Sequence, residues 1–224
     1  MNRIDRLYSD LSRLGRETEM MDTVIRMLAD DLMEDTAAHG QSRHDVLRRV
    51  VDGGFELATL ISRQLALTET VTSTGPDSSQ DIRVEFRRSH IAFTAAAAHL
   101  TSLPEDAALE YRGLTLTPGE IVPQRIAEVV LTHDSLGTAW SIEEADPDSA
   151  LDALEALMRR IAERSDVPAL LLETEEGDTW QFGDQGQRIF GDRETLVQWL
   201  AWGESEGLES EAPLPSLPAL PQWS

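Results

Sequence analysis

The chain is 224 residues long, 41% apolar and 27% charged, a balance that allows one sizeable core, or one core with a small second unit. It contains no cysteine and no lysine, which excludes disulfides, thiolate metal sites and a cysteine nucleophile and makes all 19 basic residues arginine. With a formal net charge of −22 the chain repels phosphate backbones, so nucleic acid and anionic membranes are poor partners.

Aromatic residues make up only 5%, and the apolar content is largely Leu, Ala and Val, which favours helices packed on helices. The N-terminal segment is charged throughout, unlike a signal peptide. No apolar run approaches the ~20 residues of a membrane span, so a cytoplasmic protein is expected.

Four helical stretches are predicted over residues 1–142. Ile4, Leu7, Leu11 and Leu14 lead into Val24, Ile25, Leu28 and Leu32, a stripe at helical spacing that predicts a first helix ending near His39-Gly40. Ser42 is the N-cap of a second, with Asp45 three residues on and Val46, Val50, Leu57, Ile61 and Leu65 on its apolar face. The run Val71 to Ser79 has the composition of a loop. A third helix spans Ile82 to Leu100, with Phe86, Phe93 and Ala97 facing inward. Residues Ala108 to Leu116 read as a short hairpin beside the bundle. Pro123 suits the first turn of a fourth helix, expected to reach Trp140.

After the acidic link Glu143 to Asp148 the pattern changes. A fifth helix carries Leu151, Leu154, Leu157, Met158 and Ile161. Ala169 to Leu172, Thr179 to Phe182 and Arg188 to Phe190 read as strands of an antiparallel sheet, separated by turns at Glu176-Gly177-Asp178 and Gly183 to Gly186. Asp192 caps a last helix, which Gly203 closes. This α-β-β-β-α unit occupies 147–203. An acidic, proline-rich tail, 204–224, is expected to lie extended and to dock through Leu217, Leu220 and Trp223.

Three segments carry a family resemblance. Gly40-Gln41-Ser42-Arg43-His44-Asp45-Val46-Leu47-Arg48-Arg49-Val50 resembles the stretch G-W-T-R-x-x-V-L-A-H-L of mycothiol-dependent maleylpyruvate isomerase-like proteins. Arg125-Ile126-Ala127-Glu128-Val129-Val130-Leu131-Thr132-His133-Asp134-Ser135-Leu136 resembles their R-x-x-E-x-x-x-H-x-x-D-L. Ile189, Gly191 and Leu196 to Leu200, followed by the tail ending near Trp223, resemble the family's closing glycine, W-L helix and proline-rich segment. The resemblance implies a mainly α protein: a DinB-like four-helix bundle followed by a small α/β domain.

It also implies a site. Family members hold a divalent metal, usually taken as zinc, on a histidine of the second helix and a Glu-x-x-x-His pair of the fourth. The metal lowers the pKa of mycothiol's thiol, and the thiolate adds to an unsaturated acid. In this chain Arg49 stands at the second-helix histidine, Glu128 is in place, and Thr132 replaces the second histidine. His133 comes one residue late, about 100° around the helix, in line with Ile126, Val129, Leu136 and Trp140. The metal site reads as lost. Arg49 is expected to bridge Glu128 in the metal's stead, with Thr132 completing the hydrogen bonds.

Three functions stay open. The first is a metal-independent, divergent member that binds a small molecule or partner in the bundle pocket, with no cofactor. The second is a working thiol-dependent isomerase or transferase that uses zinc on Glu128 and His133 together with mycothiol. The third is a structural or interaction protein with a filled pocket. A monomer or weak homodimer is expected.

Overall fold

Asn2 opens the first helix by accepting a hydrogen bond from the Asp5 amide, and α1 runs Arg3–Met27 with Leu7, Leu14, Met21 and Ile25 buried. The computed structural model describes residues 2–37, 40–65 and 81–215; the loop read at 71–79 and the docking of Leu217, Leu220 and Trp223 lie outside them. The first helix stops well short of Gly40, because Leu28 is extended, and a short α2 (Asp30–Met33) follows. The helix C-terminus has another partner: the Arg83 guanidinium donates to the Ile25 and Leu28 carbonyls at 3.0 and 2.8 Å.

Ser42 caps α3 (Arg43–Gln64) as predicted, accepting from the Asp45 amide. The third predicted helix is α4 (Ile82–Ala97), ending just before a 3₁₀ turn at Leu100–Ser102. Strands β1 (Leu109–Tyr111) and β2 (Leu114–Leu116) form the short hairpin. Its two-residue turn, Arg112-Gly113, has φ of +48° and +80°, the left-handed pair that a tight hairpin requires. Helix α5 (Ile121–Ser135) holds Pro123 in its first turn but ends before Trp140.

Arginines staple these antiparallel helices to one another. Arg3, in the first turn of α1, donates to the Leu100, Thr101 and Leu103 carbonyls beyond the end of α4. Arg83 does the same for α1, and Arg43 takes the Leu136 carbonyl after α5 at 2.8 Å. Each fork satisfies carbonyls that a helix end leaves free and sets positive charge where the dipole is negative.

Helix α6 (Pro147–Ala162) packs on α5 and on α7 (Arg193–Trp202), so one apolar core runs from Leu7 to Leu200. Strands β3 (Leu170–Thr174), β4 (Thr179–Phe182), β5 (Gln187–Gly191) and β6 (Glu209–Ser210) form a sheet of order β4-β3-β5-β6. It has the expected antiparallel pair of β3 with β4, but β5 lies parallel to β3, and the segment read as an extended tail supplies a fourth strand, β6, antiparallel to β5. The chain must therefore cross the start of β3 between Gly183 and Gly186. It crosses so tightly that a Cβ on Gly186 would overlap the Leu170 backbone. Asp192 and Gly203 cap α7 as read from the sequence, the latter at φ +79°.

Between α1 and α6 the buried Arg13 guanidinium serves three carboxylates: Asp152 at 2.6 Å, Asp10 at 3.2 Å and Asp148 at 3.4 Å. Burial pushes the Asp152 carboxyl up to about 7; Arg13 opposes that shift and Asp10 adds to it.

Two predictions follow from this packing. Gly186→Ala should destabilise by about 1–3 kcal/mol in urea unfolding, because the added methyl can be accommodated only by moving backbone. Between about pH 4 and 7 folded Asp152 holds a proton that the unfolded chain releases. Its contribution to stability therefore falls as pH rises through that window, by up to roughly 1.4 kcal/mol per pH unit. Asp152→Asn should flatten this part of the melting-temperature profile.

Candidate functional site

The fourth-helix carboxylate singled out by its spacing, Glu128, is 5% exposed and is held from two sides. The Tyr111 hydroxyl, at the tip of the hairpin, donates to its Oε1 at 2.5 Å. Arg125 Nη1 donates to its Oε2 at 2.9 Å and to the Val50 carbonyl at 2.6 Å. Arg125 is 0% exposed and Tyr111 3%, so the whole arrangement is shut off from bulk water. A charge at this depth is tolerable only because it is paired and hydrogen-bonded.

Two adjacent glycines of α3 make the room. A Cβ on Gly53 would lie 2.7 Å from Glu128 Oε2 and 2.8 Å from the Tyr111 hydroxyl, and one on Gly54 would lie 2.8 Å from Arg125 Nη2. Glycine inside a helix costs about 0.5–1 kcal/mol relative to alanine. That cost is less than the penalty for leaving a buried charge unpaired, about 3–5 kcal/mol.

The expected Arg49–Glu128 bridge does not form. Arg49 is half-buried and makes no ion pair with Glu128; burial lowers its pKa, Asp45 counters this, and Arg112 adds repulsion. Arg125 takes the role because it lies one turn before Glu128 on the same helix and needs no reach across the bundle. Thr132 is buried on α5 near the same end, with no hydrogen bond joining it to Glu128. His133 is drawn elsewhere: its ring stacks on Trp140 at 3.9 Å and 7°, and burial alone pushes its pKa down to about 4. Glu128 and His133 are therefore not brought together as a pair.

The site includes residues to which sequence reasoning gave no role. Arg125 stood in the quoted R-x-x-E run, and its i,i+3 spacing to Glu128 was the signal. Tyr111 had none, since only folding of the hairpin carries it to α5. Burial and, secondarily, Glu128 push the Tyr111 phenol well above its usual range, so it stays a donor. Arg112 covers the outer face: its guanidinium lies 5.3 Å from the Tyr111 ring centroid and pairs with Glu56 at 2.7 Å. Arg160 approaches from α6; burial lowers its pKa, against the attraction of Glu128 and Tyr111.

Such a donor set does not fit a divalent metal. Zinc wants several neutral or anionic ligands, whereas Glu128 stands among guanidinium groups and a phenol. Among the described residues no group of three or more His, Cys, Asp or Glu side chains is placed to hold a metal ion.

The structure superposes on the crystal structure of the mycothiol-dependent maleylpyruvate isomerase over 100% of both chains, with a TM-score of 0.72 and 17% sequence identity. This chain has the isomerase fold. A histidine-to-alanine mutant of that enzyme superposes with the same coverage, TM-score and identity. No protein-family model and no curated protein matches the sequence. The resemblance carried by three short segments thus extends, as fold, along the entire chain. Within that isomerase fold, α3, α5 and the hairpin meet around a carboxylate–guanidinium–phenol cluster.

Gly53→Ala should destabilise the protein in urea unfolding by about 1–3 kcal/mol, despite alanine's better helix propensity. In a Glu128→Ala background the penalty should shrink, because both Glu128 atoms it would meet are gone and only the Tyr111 hydroxyl remains. A double-mutant cycle with no coupling would contradict the geometry.

Proposed function

We propose that the protein is a metal-independent relative of the isomerase-like group that binds a small molecule at the Glu128 end of the helical bundle. The observation that carries this reading is the neutralisation of Glu128 by Arg125 and Tyr111, which leaves its carboxylate no free charge for an ion. The same cluster holds unused donors. Arg125 Nε and Nη2 have no acceptor among the described residues but are sealed in the core against Gly54, whereas half-buried Arg49, one turn before Gly53 on α3, forms no ion pair among the described residues and is the guanidinium a ligand can reach. A guanidinium has five N–H groups, and those left over suit a ligand with acceptor oxygens. On this reading neither zinc nor mycothiol takes part, and the solved isomerase shares the scaffold and not the site chemistry.

A filled-pocket interaction protein is the second reading, favoured by the close approach of Gly53 and Gly54 to the cluster. Zinc held by Glu128 and His133 with mycothiol as co-reactant is the third, and the stacking of His133 on Trp140 tells against it.

Metal analysis of untagged protein decides first. Zinc should be well below one ion per chain, and adding it should leave the melting temperature unchanged. Stoichiometric zinc would overturn the proposal in favour of the thiol-dependent enzyme. Arg49→His with Thr132→His and Arg125→Ala should free Glu128 and supply two imidazoles. Zinc at 100 times its Kd should then stabilise that variant by about 2.7 kcal/mol.

A further inference from the structure

A cavity of about 320 Å³ lies away from the Glu128 cluster, between the first half of α1, the turn after α4 and the start of α5. That volume is at the small end of the roughly 300–1,000 Å³ range of ligand pockets, so its occupant is a small molecule. Helix α1 turns one stripe towards it, Arg3, Arg6, Leu7 and Asp10, at the i, i+3, i+4 and i+7 positions of one face. Leu100 and Val122 add to its apolar lining, and exposed Gly119 and Glu105 stand at the rim.

The charges in this cavity are ordered along its depth. Asp10 is 8% exposed and forms the inner end, while Arg6 is exposed at the outer end. Arg3 adds no free donor set, since its guanidinium is committed to three backbone carbonyls. Asp10 is short of positive charge. Its one ion pair is with Arg13 at 3.2 Å, and Arg13 is shared with Asp152 at 2.6 Å and Asp148 at 3.4 Å. Even with Asp152 protonated, Asp10 and Asp148 outnumber the one guanidinium they share, and a buried carboxylate in that state is stabilised by a cation entering from the open side. Desolvation raises the Asp10 pKa, Arg13 and Arg6 oppose that shift, and Asp148 adds to it.

We infer that this cavity binds a small zwitterion of the α-amino-acid type, with its ammonium group on Asp10, its apolar side chain against Leu7, Leu100 and Val122, and its carboxylate towards Arg6. An amine alone would satisfy only the inner end, and a carboxylic acid would meet like charge there. The cavity selects for both groups at once.

Calorimetric titration of the full-length protein at neutral pH tests this with three probes: L-leucine, isoamylamine, which lacks the carboxylate, and 4-methylpentanoate, which lacks the amine. L-Leucine should bind, isoamylamine should bind more weakly, and 4-methylpentanoate should show no heat. Arg6→Gln should weaken L-leucine at least about tenfold and leave isoamylamine unchanged, because only the amino acid presents a carboxylate to it. Asp10→Asn should weaken both. Asp10 also supports Arg13, so a second variant guards against misfolding: Gly119→Phe. A Cβ there would meet only Thr117 Oγ1, at 3.9 Å, leaving space for a ring to grow across the rim. It should abolish binding while preserving the melting temperature. Absence of L-leucine binding, equal affinity for 4-methylpentanoate, or L-leucine affinity unmoved by both Arg6→Gln and Gly119→Phe would each overturn the inference.

Discussion

The Glu128 carboxylate is buried where an unpaired charge could not survive, and the surrounding architecture answers that need. Arg125 neutralises it from the same helix, Tyr111 hydrogen-bonds it from the hairpin, and Gly53 and Gly54 open α3 enough for both to fit. The left-handed turn at Arg112-Gly113 follows from this requirement, because the tight hairpin it closes carries the tyrosine to α5. A helix with two adjacent glycines and a hairpin beside it would each be marginal alone. Joined through one carboxylate, they stabilise each other.

Arginine is the only strong base in the chain, and its geometry is used in three ways. At helix ends, Arg3, Arg43 and Arg83 spread over several carbonyls. In the bundle Arg125 offers a bond to carboxylate and to backbone from one nitrogen. Between α1 and α6, Arg13 gathers three aspartates. A lysine has no planar fork and could not serve such divergent acceptors at once. The formal charge of −22 therefore conceals an interior in which guanidinium groups organise the polar contacts.

The isomerase fold accommodates this over the full length of both chains. Its bundle brings the middle of α3 and of α5 to one depth, and the side chains there set the chemistry. With a guanidinium and a phenol already on it, the charge of the Glu128 carboxylate is paired within the chain. The scaffold is common to the two proteins; the carboxylate–guanidinium–phenol cluster is what this chain's own side chains build on it.

Much of the fold is legible in the residues themselves. Ser42, Asp192 and Gly203 mark helix ends because capping is a local hydrogen bond or a local φ, and the alternation in β3 follows from a strand's period of two. Glu128 is likewise legible as a candidate, since its position on α5 rests on helical spacing and a family pattern. The partner of Glu128 was not. The sequence pointed to Arg49; the i,i+3 spacing of Arg125 was a signal, but whether that pair faces the core turned on which glycines of α3 face α5, a matter of helix rotation and approach that no local pattern encodes. Nor could spacing reveal the parallel pairing of β5 with β3, which depends on a chain crossing over Leu170. Local hydrogen bonding and periodicity are written along the chain. Pairing between distant segments is decided only when packing fixes which faces meet.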